Sequence, residues 1–232
     1  MISQEIYESK KNNQFSNSTS AITVMPDIFG ITSYAKATME EFSEIFQQPT
    51  YMFDYFYCLT NTPSKFSPEE SNLAFELMQK MRGEDFVSAF KSALQQIQQS
   101  NPSIQSFTVV GFCFAGRLAY LTAVERSVNT IISFYGAGAH TPNYYNGQTP
   151  IETLTTARKN DPSLKVLSFY GTQDDSIPKE DRIKTHEELH NAGINYENKE
   201  YNAGHAYFQK GRPNYNKDAA VSSLQDLQNL LS

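Results

Sequence analysis

The sequence lacks the features that mark several large classes of protein. Its 232 residues contain only two cysteines, so at most one disulfide could form, and we expect free thiols in a reducing, cytoplasmic setting. No apolar run approaches the length of a membrane span, and the polar stretch 1–20 has no apolar segment of the kind that a secretory signal requires. The net charge is −6 and no basic cluster is present, which argues against nucleic-acid binding. We therefore expect neither nucleic-acid nor membrane partners. Whether the protein is a monomer or a dimer is left open.

The apolar segments that are present alternate with helix-like patterns. Unbroken apolar or aromatic runs predict strands at 21–25, 51–59, 107–110, 129–135 and 164–170. Such alternation predicts an α/β fold with a mostly parallel central sheet and helices on both faces. No repeat, linker or change of composition divides the chain, so a single domain over 1–232 is expected, with 1–20 a peripheral strand and loop.

The segment 107–120 (FTVVGFCFAGRLAY) has the pattern of a strand, a sharp turn and a helix, with Cys113 at the apex. Small residues near the cysteine suit a tight nucleophile turn, and the following helix directs the partial positive charge of its N-terminus at the thiol. A thiolate attacks far better than a thiol, so this setting favours a nucleophilic role for Cys113. The alternative is a buried cysteine that packs as a small apolar residue, which is how we interpret Cys58.

Asp174 follows the predicted strand at 164–170, and His205 follows a segment with strand character at 194–201. The carboxyl ends of parallel strands lie at one edge, where sites of such sheets are found. The order nucleophile, acid, histidine is that of the α/β-hydrolases. His205 would move a proton near neutral pH, and Asp174 would orient its ring. Taken singly, each also fits a loop or turn residue, and Asp175 is an alternative to Asp174 by adjacency.

Acyl transfer also requires donors for a developing oxyanion, and backbone amides normally supply them. The residue after the nucleophile, Phe114, provides one such amide. The loop that follows the strand at 21–25 provides the second, which we assign to Ile28.

Four blocks of the sequence resemble the dienelactone hydrolase family, a cysteine-using branch of the α/β-hydrolases. They are residues 25–30 (MPDIFG), 111–116 (GFCFAG), 171–178 (GTQDDSIP) and 201–208 (YNAGHAYF), the last continued by Arg212, Pro213 and Tyr215. The blocks have the order of the family, and the resemblance extends over about 21–232. It implies the α/β-hydrolase fold and favours Asp174 over Asp175.

The resemblance implies hydrolysis of small esters or lactones through an acyl-cysteine intermediate, without a metal or an organic cofactor. It implies that Asp27, where the best-known members carry Glu, contacts and helps to activate Cys113. It also implies that Phe29, Tyr207 and Arg212 contact the substrate.

Members that act on dienelactone itself carry a second arginine after the second strand. The segment 60–66 contains none, and its single cation, Lys65, lacks the bidentate fork that suits a carboxylate. Dienelactone is therefore not the expected substrate.

Tyr144, Tyr145 and His140 could border the pocket or be exposed loop residues. Alternative functions are a thioesterase or a peptidase on the same fold, or a catalytically weak relative that binds a ligand or a protein.

Overall fold

A seven-stranded sheet forms the centre of the structure, a computed structural model that describes residues 6–60 and 70–231. The strands are β1 (Ile6–Glu8), β2 (Ser20–Met25), β3 (Thr50–Phe53), β4 (Ser106–Phe112), β5 (Val128–Phe134), β6 (Lys165–Gly171) and β7 (Asn195–Tyr201). Their spatial order is β1-β3-β2-β4-β5-β6-β7. Only β1 pairs antiparallel, with β3, and the other pairs in this sheet are parallel.

Helices connect the strands and cover both faces of the sheet. They are α1 (Ser33–Phe46), α2 (Tyr57–Thr60), α3 (Ser71–Lys80), α4 (Gly83–Ser100), α5 (Phe114–Leu121), α6 (Pro150–Ala157), α7 (Lys179–Asn191) and α8 (Lys217–Leu231). Two short 3-10 turns, Asn12–Phe15 and Thr122–Val124, complete the regular structure of the described residues. The predicted α/β class with a mostly parallel sheet is confirmed.

The alternation of side chains along the buried strands divides the core into two layers. On β4, Val109 belongs to the apolar cluster that includes residues of α4, α5 and α6, and its neighbour Val110 belongs to the cluster that includes residues of α1 and α8. Because successive side chains of a strand point to opposite faces, a strand buried on both sides has to be apolar throughout. This explains the unbroken apolar runs in the sequence.

The prediction of a strand over 51–59 is wrong beyond Phe53. The Asp54 carboxylate accepts a hydrogen bond from the Phe56 amide at 2.9 Å, which closes a turn that ends the strand. The chain continues into the short helix α2, so Cys58 lies in a helix and is partly buried. Aromatic residues continue on both sides of this turn, which is why the composition resembled one long strand.

Helix α6 is absent from the sequence-based prediction, although its start carries a clear signal. Thr149 accepts from the Glu152 amide at 3.1 Å, and the Glu152 side chain accepts from the Thr149 amide at 2.8 Å. With Pro150 at the first helical position, this is a complete capping box. Lys65 lies outside the described residues, as do residues 1–5 of the predicted peripheral strand and loop.

The helix α5 packs against the end of β4 so tightly that Gly111 has no room for a side chain. A Cβ atom at this position would lie 2.1 Å from the Ala115 carbonyl oxygen. Gly116 is similarly constrained, because its Cβ would lie 2.8 Å from the Cα of Gly136 on the neighbouring segment. These contacts explain why small residues flank the turn at Cys113.

We expect the substitution Gly111→Ala to lower the free energy of unfolding by about 1–3 kcal/mol, because the methyl group meets backbone that has no room to move. Urea unfolding followed by circular dichroism measures this change. Gly204→Ala is the matched control, since its nearest contact would be an ordinary 3.7 Å. We expect the control to stay within about 0.5 kcal/mol of the unchanged protein. Equal stability of the two variants would contradict the steric argument.

Candidate active site

Cys113 occupies the turn between β4 and α5 in a conformation that few side chains adopt. Its backbone angles are φ 57° and ψ −120°. The amide of Cys113 donates to the Phe134 carbonyl at 3.0 Å, which ties the turn to the end of β5. Such a strained residue costs about 1–3 kcal/mol and persists only where the surroundings fix it. The strain presents the thiol at the carboxyl edge of the sheet, as the sequence predicts.

A chain of hydrogen bonds joins the three residues predicted to act together. His205 Nε2 lies 3.0 Å from Cys113 Sγ, and His205 Nδ1 lies 2.7 Å from Asp174 Oδ2. The second carboxylate oxygen of Asp174 accepts from the Ser176 amide at 2.9 Å, so both of its oxygens are occupied. Asp174 is buried, whereas Asp175 is exposed, and it is Asp174 that reaches His205.

The loops after β6 and β7 hold His205 and Asp174 against each other. The Gln173 amide donates to the Ala203 carbonyl at 3.0 Å, and the Thr172 amide donates to the Tyr201 carbonyl at 2.8 Å. A polar cavity of about 550 Å³ adjoins the pair on the side of these loops. The imidazole therefore has a fixed position and access to water.

The charge of His205 is stabilised by its two partners. Burial disfavours the charged imidazole, but the hydrogen bonds to Asp174 and Cys113, together with their charges, outweigh burial and raise the pKa of His205 to about 10. The arrangement therefore favours a protonated His205 beside the carboxylate of Asp174.

Two backbone amides at the mouth of the site are available as donors. Within the described residues, neither the Ile28 amide nor the Phe114 amide has a hydrogen-bond acceptor. The loop that carries Ile28 is held by Tyr55, whose hydroxyl lies 3.0 Å from the carbonyl oxygens of Pro26 and Asp27. Both predicted oxyanion donors thus belong to rigid, buried backbone.

Asp27 is buried in this loop, and its carboxylate oxygens have partners other than the thiol. One oxygen accepts from the Phe29 amide at 2.9 Å, and the other lies 3.7 Å from Arg212 Nη2. Burial raises the pKa of Asp27, against the opposing charge of Arg212 and the hydrogen bond from Phe29. Within the described part of the chain, no hydrogen bond joins Asp27 to Cys113.

The residues predicted to contact substrate have different surroundings. The Arg212 guanidinium stacks 4.1 Å from the centre of the Phe29 ring, and its charge faces Asp27. Both residues stay candidates for substrate contact. Tyr207 is fully buried and its hydroxyl pairs with Ser223 of α8 at 2.9 Å, so its predicted contact with substrate stays a prediction. The family block placed Tyr207 near His205, but the chain turns there and directs the ring into the core.

Sequence reasoning missed two residues that border the site, Tyr55 and Arg117. The first was assigned to a strand, and the second was counted only as part of the helix after the nucleophile. Tyr144, which the sequence left open, packs against Arg117. His140 instead bonds Thr185 of α7 at 3.0 Å. The sequence signal for Arg117 was its position on the first turn of the helix that follows Cys113, since a long side chain there can reach the turn that carries the thiol.

Within 6–60 and 70–231, no three side chains of His, Cys, Asp or Glu are grouped so that they could hold a metal ion. No helix in these two ranges is both long and apolar enough to cross a lipid bilayer. Both cysteines are free thiols.

Relatives with curated names extend over most of the chain. A protein of Synechocystis sp. named "Putative carboxymethylenebutenolidase" is 26% identical over 220 residues, which cover 90% of this chain and 84% of that protein. A protein of the same name from Salmonella typhimurium is 29% identical over 119 residues, or 50% of this chain and 42% of the relative.

Solved structures share the fold. The "Putative Dienelactone Hydrolase" of Klebsiella pneumoniae matches with a TM-score of 0.81 and 18% identity, over 97% of this chain and 91% of that one. Esterase 2 of Thermogutta terrifontis matches with a TM-score of 0.65 and 16% identity, over 98% and 86% of the two chains.

The model of the dienelactone hydrolase family matches residues 6–232. The match includes the strand ends that carry Cys113, Asp174 and His205. Together with the fold, it assigns the chain to a group of hydrolases. The chain belongs to the dienelactone hydrolase family.

Proposed function

We propose that this protein hydrolyses small carboxylic esters or lactones through an acyl-cysteine intermediate formed on Cys113. The observation that carries the proposal is the hydrogen-bonded chain of Cys113, His205 and Asp174, with distances of 3.0 Å and 2.7 Å. A nucleophile, a base and a group that orients the base are the parts that such chemistry requires. The esterase relatives support the class of reaction, and the two cysteines support a cytoplasmic setting.

In the acylation half, the Cys113 sulfur attacks the carbonyl carbon of the substrate as a thiolate, while His205 Nε2 holds the proton. The C=O π bond becomes a C–O⁻ single bond, and the amides of Ile28 and Phe114 donate to that oxygen. The intermediate then collapses, the bond from carbon to the leaving oxygen breaks, and His205 returns its proton to that oxygen. The leaving alcohol departs, or stays tethered when the substrate is a lactone.

In the deacylation half, water replaces the alcohol. His205 takes a proton from the water molecule, and the resulting hydroxide attacks the thioester carbon. The second tetrahedral intermediate expels the Cys113 sulfur as a thiolate, His205 keeps the proton that it took from the water molecule, and a carboxylic acid is released. The cavity beside His205 and Asp174 is polar and open, which suits the supply of this water.

We expect Cys113→Ala to lower kcat/KM for a small aryl ester or lactone by at least about 1,000-fold, because no other side chain takes the place of the nucleophile. A spectrophotometric assay on a panel of lactones, aryl esters and thioesters measures this loss and ranks the substrates. Cys58→Ser is the matched control and should keep nearly full activity. If Cys113→Ala keeps full activity, the proposed mechanism is wrong. If the unchanged protein hydrolyses nothing in the panel, a ligand-binding relative is favoured.

The raised pKa of His205 predicts a pH dependence of stability. A group whose pKa is higher in the folded state stabilises the fold below its unfolded value, here 6.5, and loses this contribution as pH rises toward about 10. Between pH 7 and 10, the free energy of unfolding should therefore fall by roughly 1–3 kcal/mol more in the unchanged protein than in His205→Gln. Urea unfolding at several pH values measures the difference, and titrations common to both proteins cancel. If the free energy of unfolding depends on pH in the same way in both proteins, the folded state does not hold His205 in a charged form.

The role of Asp27 as an accessory activator stays a proposal, and two variants test it. Asp27→Asn keeps an oxygen that can accept from the Phe29 amide but removes the charge that faces Arg212. Asp27→Ala removes both. If the charge matters for activation, Asn should already lower kcat/KM by about tenfold or more, a loss of about 1.4 kcal/mol in transition-state stabilisation. If only the loop geometry matters, Asp27→Asn should leave kcat/KM nearly unchanged and only Asp27→Ala should lower it.

A further inference from the structure

Tyr55 contacts both segments that supply the proposed oxyanion donors. Its hydroxyl donates to the carbonyl oxygens of Pro26 and Asp27, at 3.0 Å each, directly before Ile28 in the chain. Its ring centre lies 6.0 Å from that of Phe114, the residue that supplies the other donor. The side chain is fully buried, so both contacts are shielded from water. One side chain therefore joins the loop after β2 to the start of α5.

The bond to Asp27 acts directly on the Ile28 donor, because the Asp27 carbonyl and the Ile28 N–H belong to one peptide group. A peptide group is planar, and in the trans form its N–H points away from its C=O. The peptide bonds of the described residues are trans. A donor that fixes the Asp27 carbonyl therefore also fixes the direction of the Ile28 N–H. A hydrogen bond to the carbonyl oxygen polarises the peptide group as well, which strengthens its N–H as a donor.

The Tyr55 hydroxyl is suited to this task because it keeps its proton. Burial raises the pKa of Tyr55 well above its usual value, and the negative charge of Asp27 acts in the same direction. The single hydroxyl proton is shared between the two carbonyl oxygens. The Gly30 amide also donates to the Asp27 carbonyl, at 3.0 Å. Two donors therefore hold this carbonyl oxygen, and Tyr55 is the one contributed by a distant part of the chain.

Aromatic packing fixes the ring of Tyr55 against the start of α5. The ring centre lies 4.6 Å from that of Phe56 and 6.5 Å from that of Phe86 on α4. Phe56 in turn stacks on Phe114, with 6.1 Å between the centres and 8° between the planes. The turn at Asp54, which ends β3, brings both aromatic residues into this cluster. Because buried rings pack densely, the hydroxyl of Tyr55 cannot shift unless its neighbours shift with it.

We propose that Tyr55 is a positioning residue that sets the geometry of the oxyanion hole by fixing the Ile28 N–H relative to the Phe114 amide. The inference rests on the proposed function, because it requires an oxyanion to form when the Cys113 sulfur attacks. In the part of the chain that the structure describes, neither amide has an acceptor, so both are available to that oxygen. An oxyanion hole acts through donors that are in place before the charge develops. Loss of the Tyr55 hydroxyl should therefore slow the steps that form an oxyanion and leave other reactions of the sulfur unchanged.

Tyr55→Phe tests the inference, because it keeps the ring and removes only the hydroxyl. On the best substrate of the ester and lactone panel, kcat and kcat/KM should fall together by about tenfold, with KM within about twofold. The affinity for trifluoroacetophenone should fall by the same factor, because the Cys113 sulfur adds to its carbonyl carbon and the carbonyl oxygen becomes an oxyanion. Alkylation of Cys113 by iodoacetamide should keep its rate, since the sulfur displaces iodide at a methylene carbon and no oxyanion forms.

Tyr51→Phe is the matched control. It also removes the hydroxyl of a buried tyrosine, one that accepts a hydrogen bond from Asn101, just after α4, at 2.8 Å. Its kcat, KM and affinity for the ketone should stay within about twofold of the unchanged protein. Tyr55→Leu removes the ring as well, so its loss should be at least as large as that of Tyr55→Phe, and it serves if the Phe variant fails to fold. Urea unfolding shows that each variant is folded under the assay conditions.

The outcomes separate the inference from the function on which it rests. Equal losses in kcat and in affinity for trifluoroacetophenone, with unchanged alkylation, support the role of Tyr55. Kinetic constants of Tyr55→Phe that match those of Tyr51→Phe overturn it and leave Cys113 as nucleophile intact. A loss of alkylation as large as the loss of kcat also overturns it, because the hydroxyl would then only maintain the structure around the thiol. If Cys113→Ala keeps full activity, the proposed function fails and the inference fails with it.

Discussion

The hydrogen bond between His205 and Cys113 is the interaction on which the site depends. It joins residues that are 92 positions apart in the chain, and the bond from His205 to Asp174 spans 31 positions. Contacts between residues so far apart in the chain are not determined by local secondary-structure propensity. They exist because β4, β6 and β7 run parallel in one sheet and end at the same edge. The tight packing of α5 on Gly111 and the strained backbone at Cys113 then fix the thiol to within hydrogen-bond distance.

Charge is distributed around this bond in a consistent way. Each carboxylate oxygen of Asp174 has a hydrogen-bond partner, one being the Ser176 amide and the other His205 Nδ1. The negative charge of Asp174 therefore acts on His205 rather than being solvated by water. Asp27 and Arg212 face each other with opposite charges, and the Arg117 guanidinium lies over the Phe114 and Tyr144 rings. In partly buried surroundings, Coulomb interactions are screened less than in water, so these charges act on one another more strongly than exposed charges would.

Much of this arrangement could be predicted from the sequence. Unbroken apolar runs predicted most of the parallel sheet, since a strand covered on both faces has no polar side. The small residues around Cys113 predicted the sharp turn, because only they allow α5 to approach β4. The order of Cys113, Asp174 and His205 after successive strands predicted that they meet. The errors arose where local turn chemistry competed with composition, as at Asp54, which ends a strand inside an aromatic stretch, and at Thr149, whose capping box starts an unexpected helix.

By itself, the sequence determined the fold class and the identity of the groups that meet at the sheet edge, because hydrophobic alternation and motif spacing are properties of the chain order. Only the tertiary structure decided which way each side chain points. It turned Tyr207 into the core, paired Asp27 with Arg212, and placed Arg117 between Phe114 and Tyr144. The physical reason is that orientation depends on packing and charge contributed by segments that are distant in sequence, and no local pattern encodes these.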